Sequence, residues 1–318
     1  MATIEFEGAR LPVEEGETVL DVLLRAGHLI SHRCRSGICR SCAMVAVGSE
    51  PGEAAQVGLA DVERRRGVFL TCQLRPRGDM VVRSLDDRDA IEAEIVELER
   101  RGSVVLARLR PSSPLTYEAG QFVILQRADM LARSYSLASL PSEPLLELHV
   151  RRVPGGRMSG WLFDEASVGT HVALRGPYGT CCYPSDELDA PLLLVGVGTG
   201  MAPLWGVLRQ ALAHGHRGPI TIVEAAPSPR DLYLHAPLRE LAAAHGLQIR
   251  CSVLREAEGE FEQREVDALA LACLRESGRP AKAFLAYVCG DATIVQRIRK
   301  GLFMAGVSSR RIFVDPFE

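Results

Sequence analysis

Cys34-Arg35-Ser36-Gly37-Ile38-Cys39-Arg40-Ser41-Cys42, with Cys72 further along the chain, sets three cysteines at Cys-x4-Cys-x2-Cys spacing and a fourth at a distance. A [2Fe–2S] cluster needs four thiolates, two per iron, and a tight loop carrying three of them can be closed by the fourth. Gly37 can take positive φ, which lets backbone N–H groups of the loop turn inward toward sulfur. Cys39-Arg40-Ser41-Cys42 is also a Cys-x2-Cys, but zinc ribbons repeat that pair and Cys72 stands alone. Nine cysteines, an odd number in a chain long enough for its own cores, argue against a disulfide framework. Single-electron transfer is therefore the expected chemistry. Cys181, Cys182, Cys251 and Cys273 show no ligand spacing and read as small buried hydrophobes.

A chain of 318 residues with 47% hydrophobic content supports two or three domains with sizeable cores. Its net charge of −3 argues against nucleic acid as a partner. The sequence opens directly in strand-like alternation, without a targeting signal, and no apolar run approaches a membrane span, so a cytoplasmic enzyme is expected.

Residues 1–87 suit an α+β module: a short strand, a turn at Glu15-Gly16, a helix over 18–26 ending at Gly27, the cluster loop, then β-rich pieces at 43–47 and 80–82. That length fits a ferredoxin-like (β-grasp) domain. The charged stretch 84–89 marks a linker. Over 88–184, short strands at 91–98, 103–109, 122–125 and 145–150 alternate with Pro/Gly turns, the pattern of an antiparallel β-barrel, with one helix near 159–163. From 185 to 318 strand and helix alternate, which predicts an α/β domain with a parallel sheet.

The α/β domain opens on Leu192-Leu193-Leu194-Val195-Gly196-Val197-Gly198-Thr199-Gly200-Met201-Ala202-Pro203, a buried strand, a glycine turn and a helix start. Backbone amides there suit a pyrophosphate. The glycines do not follow Gly-x-Gly-x-x-Gly, because Met201 and Pro203 occupy the third-glycine positions, so the standard dinucleotide fingerprint is absent.

Arg133-Ser134-Tyr135-Ser136, Gly176-Pro177-Tyr178-Gly179, the Gly198–Pro203 turn and Cys289-Gly290-Asp291 occur in the order found in ferredoxin–NADP⁺ reductase-like flavoproteins, which residues 90–318 resemble. With the plant-type ferredoxin cysteines added, the whole chain resembles the single-chain NADH reductase components of bacterial ring-hydroxylating dioxygenases and multicomponent monooxygenases. The resemblance implies three cofactors: a [2Fe–2S] cluster on Cys34, Cys39, Cys42 and Cys72, FAD, and NADH.

It also implies roles. Arg133 would bind flavin pyrophosphate, Tyr135 would stack on the isoalloxazine, and Ser136 would lie near flavin N5 and align the nicotinamide, with Ser134 beside them. Gly155-Gly156-Arg157-Met158-Ser159 resembles a flavin-phosphate turn and favours FAD over FMN; a helix start capped by Ser159 remains the alternative. His149, Val150 and Arg151 face either the flavin or the core. Gly198, Thr199, Gly200, Met201 and Pro203, with Cys289, Gly290 and Asp291, would form the nicotinamide side, where Cys289 shapes a pocket without being a nucleophile. Phe317 is the candidate flavin lid, and Asp315 the carboxylate near it. Relatives often have Glu-Lys-Phe where this chain has Asp315-Pro316-Phe317, which leaves the reach of that carboxylate open.

Glu224, after the second strand, would favour a ribose with two free hydroxyls and so NADH, while Arg230 could attract a 2′-phosphate. Arg33, Arg35 and Arg40 surround the cluster loop. A charge ~10 Å from the irons contributes roughly 0.4–1.7 kcal/mol for ε of about 80 to 20, or about 20–70 mV in a one-electron couple. The same arginines, extended by Arg64-Arg65-Arg66, could instead dock an acidic partner. The expected function is electron transfer from NADH to an oxygenase component or intermediary ferredoxin in aromatic hydrocarbon catabolism, by a monomer. Reduction of a sugar-nucleotide or other small acceptor is one alternative, and a redox-sensing binding protein without turnover is another.

Overall fold

The computed structural model describes residues 2–28, 30, 32, 34–38, 40–59, 61–85, 90–184 and 186–317. Cys39, Arg33 and the expected linker residues 86–89 lie outside these. The chain divides into two compact units. One comprises 1–92, 124–134 and 172–176; the other comprises 93–123, 135–171 and 177–318.

The N-terminal sheet is built from β1 (Thr3–Phe6), β2 (Ala9–Pro12), β3 (Ala43–Val47), β4 (Val68–Leu70) and β5 (Met80–Ser84), in the order β2-β1-β5-β3-β4. The pair β1–β5 is parallel and the others are antiparallel, a β-grasp arrangement. The hairpin β1–β2 turns at Glu7-Gly8, both at positive φ (52° and 80°), a mirror-image turn that matches strand twist. Sequence reading missed this turn because Glu is an unusual residue at positive φ.

Helix α1 (Val19–Arg25) starts at a capping box: Thr18 Oγ1 accepts from Asp21 N, and Asp21 Oδ2 accepts from Thr18 N at 3.0 Å. It buries Val19, Leu20, Val22 and Leu23 against the sheet. A short helix α2 (Asp61–Arg65) precedes β4.

The second sheet contains β6 (Ile91–Arg101), β7 (Val104–Pro111), β8 (Phe122–Gln126), β9 (Ala132–Ser136), β10 (Leu146–Arg151) and β11 (His171–Tyr178), in the order β10-β7-β6-β11-β8-β9. An antiparallel bridge between Leu137 and Leu148, with Ala138 N–H donating to Glu147 O at 2.9 Å, brings the chain just after β9 onto β10. The two ends of the strand order thereby meet, as a barrel requires. The expected helix is α3 (Arg157–Gly160), continued by a π-helical turn over Trp161–Glu165.

The third sheet is parallel. It holds β12 (Leu192–Val197), β13 (Ile220–Ala226), β14 (Gln248–Val253), β15 (Phe261–Gln263), β16 (Leu285–Asp291) and β17 (Ile312–Phe317), in the order β15-β14-β13-β12-β16-β17. Helices α4 (Met201–Ala213) and α5 (His235–His245) supply one face, and α6 (Val266–Glu276) and α7 (Ala292–Met304) the other. Strand direction of travel reverses at β12, so β12 and β16 flank a topological switch point, where open α/β sheets bind ligands beyond the carboxyl ends of the strands. No helix among the described residues is long and apolar enough to cross a membrane.

Candidate redox site

The cluster loop brings Cys34, Cys42 and Cys72 together, and Cys39 lies outside the described residues. Gly37 takes φ 85°, and its N–H points at the Cys72 sulfur. Ser36 N–H lies 3.4 Å from Cys34 Sγ, and Gln73 Nε2 3.3 Å from Cys72 Sγ while also donating to Arg35 O at 2.8 Å. A hydrogen bond from Cys42 lowers the Cys72 thiol to about 6, and the same contact raises Cys42. Converging thiols with inward-facing N–H donors are the donor set that an iron–sulfur cluster requires, and these residues fit it.

Arg35 and Arg40 both take positive φ, 52° and 54°. Arg40 thus adopts a conformation that glycine takes freely and other residues seldom do. Both charges are matched by carboxylates: Arg35 Nη1 lies 2.6 Å from Asp21 Oδ1 and Arg40 Nη1 3.4 Å from Glu63 Oε2. Each carboxylate offsets part of the charge that its arginine brings to the loop.

At the switch point, Val197 leads into a 3-10 turn over Gly198–Gly200 that runs into α4. A Cβ on Gly200 would meet the Cys289 carbonyl oxygen at 2.0 Å, and one on Gly290, at φ 129°, would meet Val197 O at 2.6 Å. The two ligand loops therefore touch backbone to backbone. The Arg151 guanidinium lies 3.8 Å from the Cβ direction of Gly198, which sets a cation beside the turn. Asp291 caps α7, its Oδ1 accepting from Thr293 N and Ile294 N at 3.0 and 3.1 Å. Met201 and Pro203, in the first turn of α4, are buried.

Across from this turn, Ser136 at the end of β9 donates from Oγ to Asp315 Oδ2 at 2.7 Å. Asp315 sits on β17 in register with Cys289 on β16. The carboxylate therefore does reach the serine, even though proline follows it. Burial pushes the Asp315 carboxyl up to about 6, opposed by the Ser136 hydrogen bond. Cys289 is fully buried, and burial pushes its thiol well up. Its Sγ lies 3.6 Å from Cys181 Sγ. Phe317 is half-buried and paired through β17 with Asp291 of β16, so this end of the chain is built into the sheet.

The remaining expected residues divide. Arg133, Ser134 and Tyr135 are half-buried on β9, and Arg133 Nη1 donates to Ala132 O at 2.7 Å. Gly156 and Arg157 open α3; Met158 is buried; the Ser159 hydroxyl accepts from Val153 N and donates to Gly156 O, so it serves its own turn.

Burial bears on two readings left open by the sequence. His149 is buried with both ring nitrogens engaged, Nδ1 with Tyr233 OH and Nε2 with Glu147 Oε1, each at 2.9 Å, and Val150 is buried beside it. Both belong to the core, and Arg151 alone of that trio is exposed. Glu224 is 1% exposed beneath His235, which removes its carboxylate from a ribose edge.

Residues 2–77 match the 2Fe-2S iron-sulfur cluster binding domain, 102–183 the oxidoreductase FAD-binding domain, and 194–300 the oxidoreductase NAD-binding domain. The chain is 33% identical to the reductase subunit of an aromatic O-demethylase from Amycolatopsis, covering 98% of this chain and 96% of that one. It is 31% identical to the ferredoxin–NAD(P)(+) reductase component of the naphthalene 1,2-dioxygenase system of Pseudomonas putida, over 96% and 95% of the two chains. The crystal structure of Amycolatopsis cytochrome P450 reductase GcoB superposes with a TM-score of 0.68 at 31% identity, covering 100% and 99%. With its three cofactor domains in this order and such identity along its whole length, the chain belongs to the ferredoxin/FAD/NAD reductase components of bacterial ring-hydroxylating dioxygenase and monooxygenase systems.

Proposed function

We propose that the Ser136–Asp315 pair gates hydride entry in an NADH-dependent reductase that supplies electrons to an oxygenase or ferredoxin component in the cytoplasm. When bound, FAD converts a two-electron hydride into single electrons and the [2Fe–2S] cluster carries them onward one at a time. The observation that carries this reading is the 2.7 Å bond from Ser136 Oγ to a half-buried carboxylate on the strand next to Cys289.

Each residue has a job within the chain. Gly198, Thr199 and Gly200 offer backbone amides to a pyrophosphate at the opening of α4, and Arg151 adds a nearby positive charge. Cys289 packs the floor of the nicotinamide side without reacting. Asp315 holds the Ser136 hydroxyl in one orientation, which fixes where its oxygen points during hydride transfer. Phe317 on β17 and Tyr135 on β9 are the aromatic rings that would pack against a bound flavin. Cys34, Cys39, Cys42 and Cys72 hold the cluster, and the N–H groups of Ser36 and Gly37 stabilise charge on sulfur.

The partner class follows from similarity: relatives serve a naphthalene dioxygenase, an aromatic O-demethylase and a cytochrome P450. An oxygenase acting on an aromatic compound is the expected acceptor. The test is an anaerobic visible and EPR titration with NADH. Flavin bleaching followed by a rhombic reduced-cluster signal supports the reading. Bleaching without that signal, at full iron content, overturns the internal transfer; no bleaching overturns the enzyme.

A further inference from the structure

Glu224 of β13 and Cys251 of β14 are register partners on adjacent parallel strands, and His235, the first residue of α5, closes over both. One ligand atom from each lies within 4.8 Å of the other two. Glu224 is 1% exposed, and its carboxylate is met only by His235 Nδ1 at 3.4 Å and by the Leu234 backbone, with no hydrogen bond of good geometry to either oxygen. A buried polar group left in this state is costly and demands an explanation.

The separations supply one. His235 Nδ1 lies 3.5 Å from Cys251 Sγ and 3.4 Å from Glu224 Oε2. Around a tetrahedral zinc ion, with nitrogen and oxygen at about 2.0–2.2 Å and sulfur at about 2.3 Å, the N···S and N···O edges come to roughly 3.6 and 3.4 Å. The outer side of the ring fits as well. His235 Nε2 is 3.4 Å from Glu260 Oε1, which is itself bound by Arg239. Without an ion the ring bridges the two carboxylates as an imidazolium; with one bound, Glu260 on Nε2 would hold the remaining ring proton there and leave the Nδ1 lone pair for the ion between Glu224 and Cys251.

We propose that Glu224, His235 and Cys251 form a binding site for a divalent transition ion of the zinc class, with Glu260 as the positioning residue for His235. A thiolate excludes magnesium and calcium as preferred occupants. On loading, the Cys251 S–H bond breaks, its proton leaves to solvent and a sulfur–metal bond forms. Three protein ligands leave a fourth position for water. The ion would tie β13, β14 and the start of α5 into one unit on the β15 side of the nucleotide-binding sheet.

The test uses the full chain with flavin and cluster loaded, stripped with a chelator, dialysed against Zn²⁺ and examined by elemental analysis and zinc X-ray absorption. The expected result is about one zinc per chain, besides the cluster iron, with one sulfur near 2.3 Å and the rest nitrogen or oxygen. C251S and H235Q should lose the ion while keeping flavin and cluster spectra, C273S should keep it, and E260Q should bind about 10- to 100-fold more weakly. Failure of the wild type to retain zinc, a sulfur shell unchanged in C251S, or a shell of several sulfurs would each overturn the site.

Discussion

Ser136 and Asp315 are 179 residues apart in sequence and 2.7 Å apart in space, joined by a hydroxyl-to-carboxylate hydrogen bond. Desolvation raises the carboxyl to about 6, so its protonation changes close to working pH. Flavin reduction by NADH should therefore rise with pH through an inflection near 6, as ionised Asp315 takes hold of the Ser136 proton. D315N should flatten that profile. Stability should run the other way: the folded pKa lies above the ordinary value, so the contribution is whole below about 4 and is lost as pH rises through 6. Stopped-flow rates and thermal midpoints across pH check both, and an unshifted inflection in D315N would sink the assignment.

Removing the hydroxyl tests positioning separately. S136A should retain flavin and cluster yet lose about 100-fold in the rate of flavin reduction, with little change in NADH binding. A rate within twofold of the wild type would leave Ser136 without a role in alignment.

Gly200 has no room for a side chain, because the Cys289 carbonyl occupies the place of its Cβ. G200A should force apart the loops after β12 and β16, costing about 2–4 kcal/mol of stability and abolishing saturable NADH binding. Denaturation and coenzyme titration would show it.

Tyr233 and Glu147 satisfy both nitrogens of buried His149. Y233F leaves Nδ1 unpaired and should cost about 1–3 kcal/mol, a fall of about 2–10 °C in the thermal midpoint. Burial holds the imidazole below its ordinary range, so the wild type should also lose stability as pH falls below about 6.5.

Arg35 is about half exposed and Arg40 nearly enclosed. R35E should therefore slow partner reduction and weaken its dependence on salt, whereas R40E should instead disturb Glu63 and cluster retention. Partner kinetics of R35E that match the wild type across ionic strength would exclude docking at this loop.

The three-part architecture was legible because each part has its own local signature: cysteine spacing at Cys34–Cys72, alternation with turns over the barrel, strand and helix alternation after residue 185. Strands β2, β4, β9, β11, β15 and β17 and helices α2 and α6 escaped, since short or proline-bearing segments such as Ile312–Phe317 gain their order from neighbours and not from pattern. The motif residues at Ser136, Gly200 and Cys289 were legible as motifs. The Ser136–Asp315 bond was not, being set by two strands in different sheets. Glu224, His149 and Cys251 show the limit most plainly: a side chain's neighbours depend on register, and the Glu224–Cys251 pairing appears only once β13 lies beside β14.

Strand β17 also sets a timetable. At about 5–20 residues per second, roughly 10–40 s of synthesis separate Ser136 from Asp315. All four cluster cysteines leave the ribosome before either residue does. A nascent chain can thus gather the thiolates of the cluster loop well before it owns the serine–carboxylate pair proposed to gate hydride entry, because β17 is made long after β9.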